Sequence, residues 1–171
     1  IPLNPALSPS KNAERYFKEY KKTYTAAETL SRLTEEDKKE ISYLESVLES
    51  IERCRSIAEI GEIREELSLA GYIKRPAGKG KPKQNIPKPL EYVSSEGFRI
   101  LVGKNNLQND YLTTRLASKN DLWFHTKNIH GSHVIVMCEG KEVSDETVIF
   151  AATLAAKNSK AKNSSQVPVD Y

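Results

Sequence analysis

The chain is poor in the residues that cross-link a protein or anchor it in a membrane. It contains two cysteines, Cys54 and Cys138, which lie far apart in different predicted elements. This number and spacing fit neither a disulfide framework nor a cysteine metal site. No apolar run approaches the ~20 residues that a membrane-spanning helix needs, and the first residues carry no signal-peptide pattern. We therefore expect a soluble, cytosolic protein without a cofactor.

Apolar residues are also scarce. They make up 38% of the 171 residues, against 29% charged residues. This balance suggests an elongated or partly exposed shape, built from one ordinary domain or from a small domain with an extension. The sequence begins at Ile1 without a Met and in the middle of a pattern, so we expect an excised fragment of a longer protein.

Acidic residues are missing from residues 67–90, although the net charge of the whole chain is only +3. Pro, Gly and six cations fill this stretch, so residues 73–90 are predicted to form an extended, mobile linker between residues 1–72 and 91–171. The linker is either a solvated tether or a basic strap that binds phosphates, and the two roles are compatible. The cations at its centre are Lys79, Lys81 and Lys83.

Residues 1–72 have the pattern of a coiled-coil arm. Four residues three or four apart form an apolar stripe, called here the aromatic seam: Phe17, Tyr20, Tyr24 and Ala27. Ser10 is the expected N-terminal cap. The stripe restarts one position out of phase at Ile41, which fits either one long helix with an irregularity near Thr34 or two helices in a hairpin, and we expect the long helix. A second helix is predicted over Ile57–Leu69, stopped by Gly71.

Residues 91–171 alternate strand and helix patterns in the order β-β-α-β-β-α-β. This order predicts an α+β domain with a mostly antiparallel sheet and two helices. Strands are expected at Leu90–Val93 and residues 98–102, with a further strand in the last eight residues. Asn109 or Asp110 is the expected cap of the first helix, which should run to about Ala117, and Ser144 is the expected cap of the second.

Residues 121–137, DLWFHTKNIHGSHVIVM, hold the only Trp and all three His of the chain. The two-residue period of a strand places Asp121, Trp123 and His125 on one face. Leu122 and Phe124 then face the core. A hairpin centred near Asn128 and Ile129 would set His125 roughly opposite His133 on the neighbouring strand.

This cluster favours ligand contact over catalysis. Two His and a carboxylate would be a minimal zinc set, but no second cluster of ligands supports a metal site. Ser132 and His133 point to opposite faces of a strand, which argues against a Ser nucleophile, and we assign no catalytic residue. His125 is either a structural His bonded to Asp121 or Ser132, or part of a surface on which Trp123 stacks bases. A buried Trp123 would exclude stacking.

The motif D-L-W-F-H-T-K followed by G-S-H-V resembles the centre of the NFACT-R domain, found in bacterial proteins called fibronectin-binding protein A. One departure is His130, where the family usually has Pro before Gly131. Three helical segments also resemble the returning arm of the family's coiled coil: N-A-E-R-Y-F-K-E-Y-K-K (residues 12–22), E-I-S-Y-L-E-S-V-L (residues 40–48) and E-I-R-E-E-L-S-L-A-G-Y (residues 62–72). This implies that the outgoing arm and the N-terminal domain lie outside this fragment.

The resemblance implies a non-enzymatic, RNA-binding part of a ribosome quality control factor. Its partners would be tRNA and the RNA of the large ribosomal subunit, during rescue of stalled nascent chains. The alternative is a surface adhesin of Gram-positive bacteria that binds host fibronectin without a signal peptide. The arm would self-associate through its uncovered seam. The candidate RNA- or partner-binding residues are Asp121, Trp123, His125, Lys127, Gly131, Ser132, His133, Arg115, Lys79, Lys81 and Lys83.

Overall fold

The protein is described by a computed structural model that covers residues 1–74 and 88–171. The structure contains one long helix, several shorter helices and an antiparallel sheet, which confirms the predicted α+β class. The chain divides into two compact units, Ile1–Tyr43 and Leu44–Tyr171. The predicted domain boundaries at residues 72 and 90 stay predictions.

Helix α1 runs over Pro9–Arg53 as one unbroken helix of 45 residues. This confirms the long helix and excludes a hairpin at Thr34, but the irregularity expected there is absent from the helix. Its start was predicted wrongly. The hydroxyl of Ser8, and not that of Ser10, accepts a hydrogen bond from the N–H of Lys11 at 3.3 Å. Pro9 occupies the first helical position, where its fixed φ suits the helix and its missing N–H costs nothing.

The aromatic seam of the first unit is open to solvent. Phe17 is 66% exposed, Tyr20 63% and Tyr24 53%. The rings of Tyr20 and Tyr24 lie 6.0 Å apart, as expected for residues one helical turn apart. Within the described part of the chain, none of the helices has the length and apolarity to cross a membrane.

Helix α2 spans Ile57–Leu69, the predicted range. The Ser56 side chain caps its first turn by accepting from the N–H of Glu59. Gly71 follows with φ of +87°, a left-handed conformation that ends helices and that other residues rarely adopt. The glycine signal therefore placed the end of this helix correctly, whereas the cap at Ser56 was not identified from the sequence.

Five strands form one sheet in the order β1-β2-β4-β3-β5, and every neighbouring pair is antiparallel. The strands are β1 (Leu90–Val93), β2 (Arg99–Val102), β3 (Leu122–Thr126), β4 (Val134–Met137) and β5 (Val169–Asp170). The order of strands and helices matches the predicted one.

The helix between β2 and β3 differs from the prediction. Helix α3 covers Asn106–Tyr111 and continues into a π-helical turn, Leu112–Leu116. Asn105 caps it by accepting from the N–H of Gln108 at 3.0 Å, so Asn109 and Asp110 were the wrong choices. Asn109 lies inside the helix, and its side-chain amide bonds to the backbone of Gly131 and His133, as described below. Helix α4 (Asp145–Lys157) has the predicted cap, Ser144.

Both faces of the sheet bury apolar side chains. On one face, Phe124 is fully buried with residues of β2, β4 and α4, which confirms it as a core residue. The opposite face holds a second cluster of Leu101, Leu112 and Ile135, against which Trp123 packs. The face expected to be open surface is therefore partly covered by the π-helical turn, and Trp123 is half-buried.

Candidate functional site

The β3–β4 hairpin brings the two predicted histidines together. Phe124 pairs with Val134, so the next position outward in the same register sets His125 opposite His133. Their ring centroids lie 5.2 Å apart. The predicted register is therefore correct.

Trp123, His125 and His133 form a compact group, called here the ring cluster. Trp123 stacks on His125 with centroids 5.8 Å apart and ring planes 23° apart. The ring of His133 stands edge-on to both, 5.3 Å from that of Trp123. All three side chains are half-buried, so the cluster is a supported aromatic surface rather than a set of free side chains.

Both histidines of the ring cluster are held in the neutral form. Burial, and then the nearby His125, lower the pKa of His133 to about 4. Burial, and then His130, lower the pKa of His125. At neutral pH the cluster therefore contributes flat uncharged rings and no attraction for phosphate.

The polar atoms of the cluster are placed by the π-helical turn. Thr113 Oγ1 lies 2.8 Å from His133 Nδ1 and donates its one proton to the carbonyl of Asn109 at 2.9 Å. With the hydroxyl proton on that carbonyl, Nδ1 of His133 donates to Thr113 and Nε2 is the hydrogen-bond acceptor. Nε1 of Trp123 is buried and has no partner among the described residues. The site thus combines ring faces with one acceptor and one unsatisfied donor.

Asp121 is near the cluster but its carboxylate is already occupied. It accepts from the backbone N–H groups of Ser118 and Cys138, both at 2.8 Å. These bonds tie the start of β3 to the end of β4. Among the described residues no hydrogen bond joins Asp121 to His125, whose ring is hydrogen-bonded to the backbone of Gly131 instead.

Gly131 and Ser132 also have structural roles. A Cβ on Gly131 would lie 2.8 Å from that of Ser159, so the close approach of the two segments requires glycine here. Ser132 is buried, donates to the carbonyl of Gly103 and accepts from Arg53 at 2.6 Å. Its hydroxyl bonds to these two partners, and no hydrogen bond joins Ser132 to His125 among the described residues.

Asn109 holds the same loop from the other side. Its amide donates to the carbonyl of Gly131 at 3.2 Å and accepts from the backbone N–H of His133 at 3.0 Å. Together with Thr113 it fixes the backbone and the ring of His133. Sequence reasoning took Asn109 for a helix cap and missed Thr113, since neither contact is signalled by local spacing.

The predicted cations are not gathered at the ring cluster. Lys127 is exposed and pairs with Asp170 at 3.2 Å, and Arg115 is exposed on the π-helical turn. The linker lysines Lys79, Lys81 and Lys83 lie outside the described residues. The structure therefore brings together Trp123, His125 and His133, with Asp121, Gly131 and Ser132 as their support.

A buried ion pair was missed by the sequence analysis. Arg53 Nε lies 3.1 Å from Glu49 Oε1, with the two side chains 13% and 4% exposed, but its N–H does not point at the oxygen. Arg53 also donates to Ser132 and to the carbonyl of Asn158 at 3.1 Å. Burial lowers the pKa of Arg53 and raises that of Glu49. The pair joins the end of α1 to the β4 and α4 regions.

A polar network fixes α2 against the β2–α3 loop. Glu62 accepts from Asn105 and from Gln108, each at 2.9 Å. Lys104 pairs with Glu59 at 3.4 Å. No group of three or more His, Cys, Asp or Glu suited to a metal ion occurs in residues 1–74 and 88–171. Cys54 and Cys138 are both free thiols.

Two family models match the chain end to end. The NFACT N-terminal and middle domains match residues 1–85, and the NFACT protein RNA binding domain matches residues 88–171. The chain belongs to the NFACT family. Its ring cluster and the whole sheet lie within the part that matches the RNA-binding domain.

Relatives match over the same region. The Rqc2 homolog RqcH of Bacillus subtilis is 44% identical over 173 residues, and that of Streptococcus suis is 50% identical over 171 residues. The matches cover 100% and 99% of this chain, but the chain spans only 30% of the length of either relative. The solved C-terminal part of the fibronectin/fibrinogen-binding protein from Streptococcus suis has a TM-score of 0.84 and 49% identity, covering 94% of this chain and 64% of that one.

Proposed function

We propose that this chain is a non-enzymatic, RNA-binding part of a ribosome quality control factor. The whole protein would bind tRNA and the large ribosomal subunit in the cytoplasm during rescue of stalled nascent chains. The observation that carries the proposal is the ring cluster inside the region matched by the NFACT RNA-binding domain. The relatives named Rqc2 homolog RqcH support the assignment to this pathway.

The ring cluster suits unpaired bases better than it suits a duplex. Sequence-tolerant binding of single strands relies on bases stacking against aromatic side chains, worth roughly 1–3 kcal/mol per base. Trp123 and His125 lie nearly parallel, and the free Nε2 of His133 can accept from a base amino group. Loops and ends of a folded RNA expose bases in this way.

Because the two histidines are neutral, their contribution to RNA affinity should not depend on the salt concentration. Stacking on uncharged rings releases no counterions, so its loss should weaken binding without changing the slope of affinity against salt. The pKa of each histidine in the cluster is lowered, which keeps this contribution uncharged at neutral pH. Phosphate contacts must then come from residues outside the ring cluster.

The test is a tRNA titration of three variants at several salt concentrations. His125→Leu keeps the side-chain bulk but removes the ring, and we expect a roughly 5- to 100-fold loss of affinity with an unchanged salt slope. His125→Phe should retain most of the affinity because it keeps a ring. His130→Leu is the matched control, since His130 lies outside the cluster and contacts Glu45 at 3.3 Å. Parental affinity for His125→Leu would refute the ring cluster as an RNA surface.

Fibronectin is the second partner to titrate, side by side with tRNA. The adhesin alternative rests on the name of the Streptococcus suis protein whose structure is similar. If the parent chain binds fibronectin but not tRNA, and the His125→Leu variant still binds fibronectin, the adhesin function would be favoured over the RNA-binding function.

A further inference from the structure

A concave site remains that the ring cluster does not explain. A cavity of about 300 Å³ lies in the second unit, where the end of α1, the start of α2, β1 and the end of α4 meet. Its five cations are Arg53, Arg55, Lys104, Lys157 and Lys162, and its two carboxylates are Glu52 and Glu59. This volume is at the lower end of small-ligand sites, enough for one phosphate with part of its sugar but not for a duplex.

Two of the five cations are committed to internal pairs. Arg53 is bound to Glu49, Ser132 and Asn158. Lys104 is shared between Glu59 at 3.4 Å and the more distant Glu62 at 3.8 Å. The carboxylate of Glu59 also accepts from the backbone N–H of Arg55, and that bond is the main reason that its pKa is lowered.

Three cations are left over. Arg55, Lys157 and Lys162 are exposed side chains that form no hydrogen bond or ion pair with the residues the structure describes. Among the lining carboxylates only Glu52 is similarly uncommitted. Helices α1 and α4 both end at this cavity, and each has a basic residue in its last turn, Arg53 and Lys157.

We propose that this cavity binds a phosphate group of the RNA backbone, held by Arg55, Lys157 and Lys162. The assignment rests on the RNA-binding function proposed above and adds the charged contact that the neutral ring cluster cannot supply. Arg offers a planar fork of donors that matches phosphate oxygens, and Lys adds point charges around it. A phosphate here would pair with Arg55 and Lys157, which have no carboxylate partner among the described residues, and with Lys162, whose charge otherwise acts only at a distance on Glu49.

The experiment compares two double variants that remove the same net charge. Lys157→Gln with Lys162→Gln removes two cavity cations. Lys39→Gln with Lys141→Gln removes two exposed lysines that do not line the cavity. Each is titrated with a single-stranded RNA over a range of salt, and separately with inorganic phosphate while backbone amide resonances are followed by NMR.

We expect the cavity variant to lower the salt slope by up to ~0.7, the value for the one single-strand phosphate contact that it weakens, relative to the control variant. Phosphate should shift the amides of residues 53–55 and 157–158 in the control but not in the cavity variant. Equal slopes for the two variants, or a glutamate peptide that competes as well as phosphate does, would overturn the proposal.

The two proposals fail in different ways. If RNA binds the parent and the slopes of both variants are equal, the RNA-binding function stands and the cavity assignment falls. If RNA does not bind the parent but phosphate shifts the cavity amides, the RNA-binding function falls, and with it the assignment of the cavity to RNA in favour of free phosphate.

Discussion

The pair of Glu49 and Arg53 gives the sharpest stability prediction. Burial raises the pKa of Glu49 and lowers the pKa of Arg53, and both changes favour the neutral form. Desolvation therefore outweighs the attraction between the two charges. Replacing Arg53 with Met leaves the carboxylate of Glu49, in a side chain only 4% exposed, without its main cation, and only the weaker attraction of Lys162 remains. It also removes one donor from Ser132 and one from the Asn158 carbonyl.

The magnitude follows from what each group loses. Breaking a buried pair by removing one partner typically costs about 3–5 kcal/mol. Glu49 can limit this by taking up a proton, so we expect about 3 kcal/mol at pH 7. The Asn158 carbonyl keeps its bond from the Ser132 N–H at 2.9 Å, so the loss of Arg53 as a donor is only partial. The double variant Glu49→Met, Arg53→Met should therefore cost only about 1 kcal/mol, because no buried charge remains.

Urea unfolding at pH 7 and pH 5 measures both values. In Arg53→Met the pKa of Glu49 stays raised by burial, so the folded state binds more protons than the unfolded state. The variant should then gain stability relative to the parent as the pH falls towards 4.5, the ordinary value. Arg32→Met is the control. Arg32 pairs with Glu36 on the same helix, and the two side chains are 62% and 55% exposed. Losing this pair should change the free energy of unfolding by less than about 0.5 kcal/mol. A double variant as unstable as Arg53→Met, or a loss for Arg53→Met below about 1 kcal/mol, would refute this account.

Four further predictions concern the core, the ring cluster, the linker and the arm. Phe124→Ala should cost about 3–5 kcal/mol in urea unfolding because the ring is fully buried; a loss below 1 kcal/mol would contradict the core assignment. The pKa of His133 is about 4 when folded and 6.5 otherwise, so stability should decline as the pH falls from 6.5 towards 4, and His133→Gln should flatten that decline. Replacing the three central linker lysines with Gln should lower the salt slope of RNA binding by up to ~0.9 per lost duplex contact, with unfolding free energy within about 0.5 kcal/mol of the parent. The exposed aromatic seam should make the chain self-associate, and a strict monomer in sedimentation at high concentration would exclude this.

Much of the fold could be predicted because its signals are local. Helix α2 has a cap at Ser56 and a glycine stop at Gly71, and both lie within two residues of its ends. The hairpin register was predicted from the alternation of residues in β3 and from the position of the turn between the β3 and β4 patterns. The start of α1 was wrong by two residues because Ser8 and Ser10 flank Pro9 and both are acceptable caps.

The site could be predicted only in part, because its supports come from distant residues. Arg53 contacts Ser132 across 79 positions of sequence, and no periodicity points to it. Thr113 reaches His133 only because α3 ends in a π-helical turn. Trp123 was expected on an open face, but Leu112 of that turn packs on the same side of the sheet and buries part of it.

The division of labour within the motif residues has a consequence for how RNA would be held. Asp121 and Ser132 bond to backbone groups, and Gly131 allows a close approach of two segments, so the role of all three is to hold β3 and β4 in register. His125 and His133 each make a hydrogen bond within the domain and offer a ligand their ring faces, but both are neutral, and a neutral ring gives no salt-dependent affinity. An RNA ligand of this domain must therefore combine stacking at the ring cluster with charge from a separate place, and removing either one should leave the other measurable.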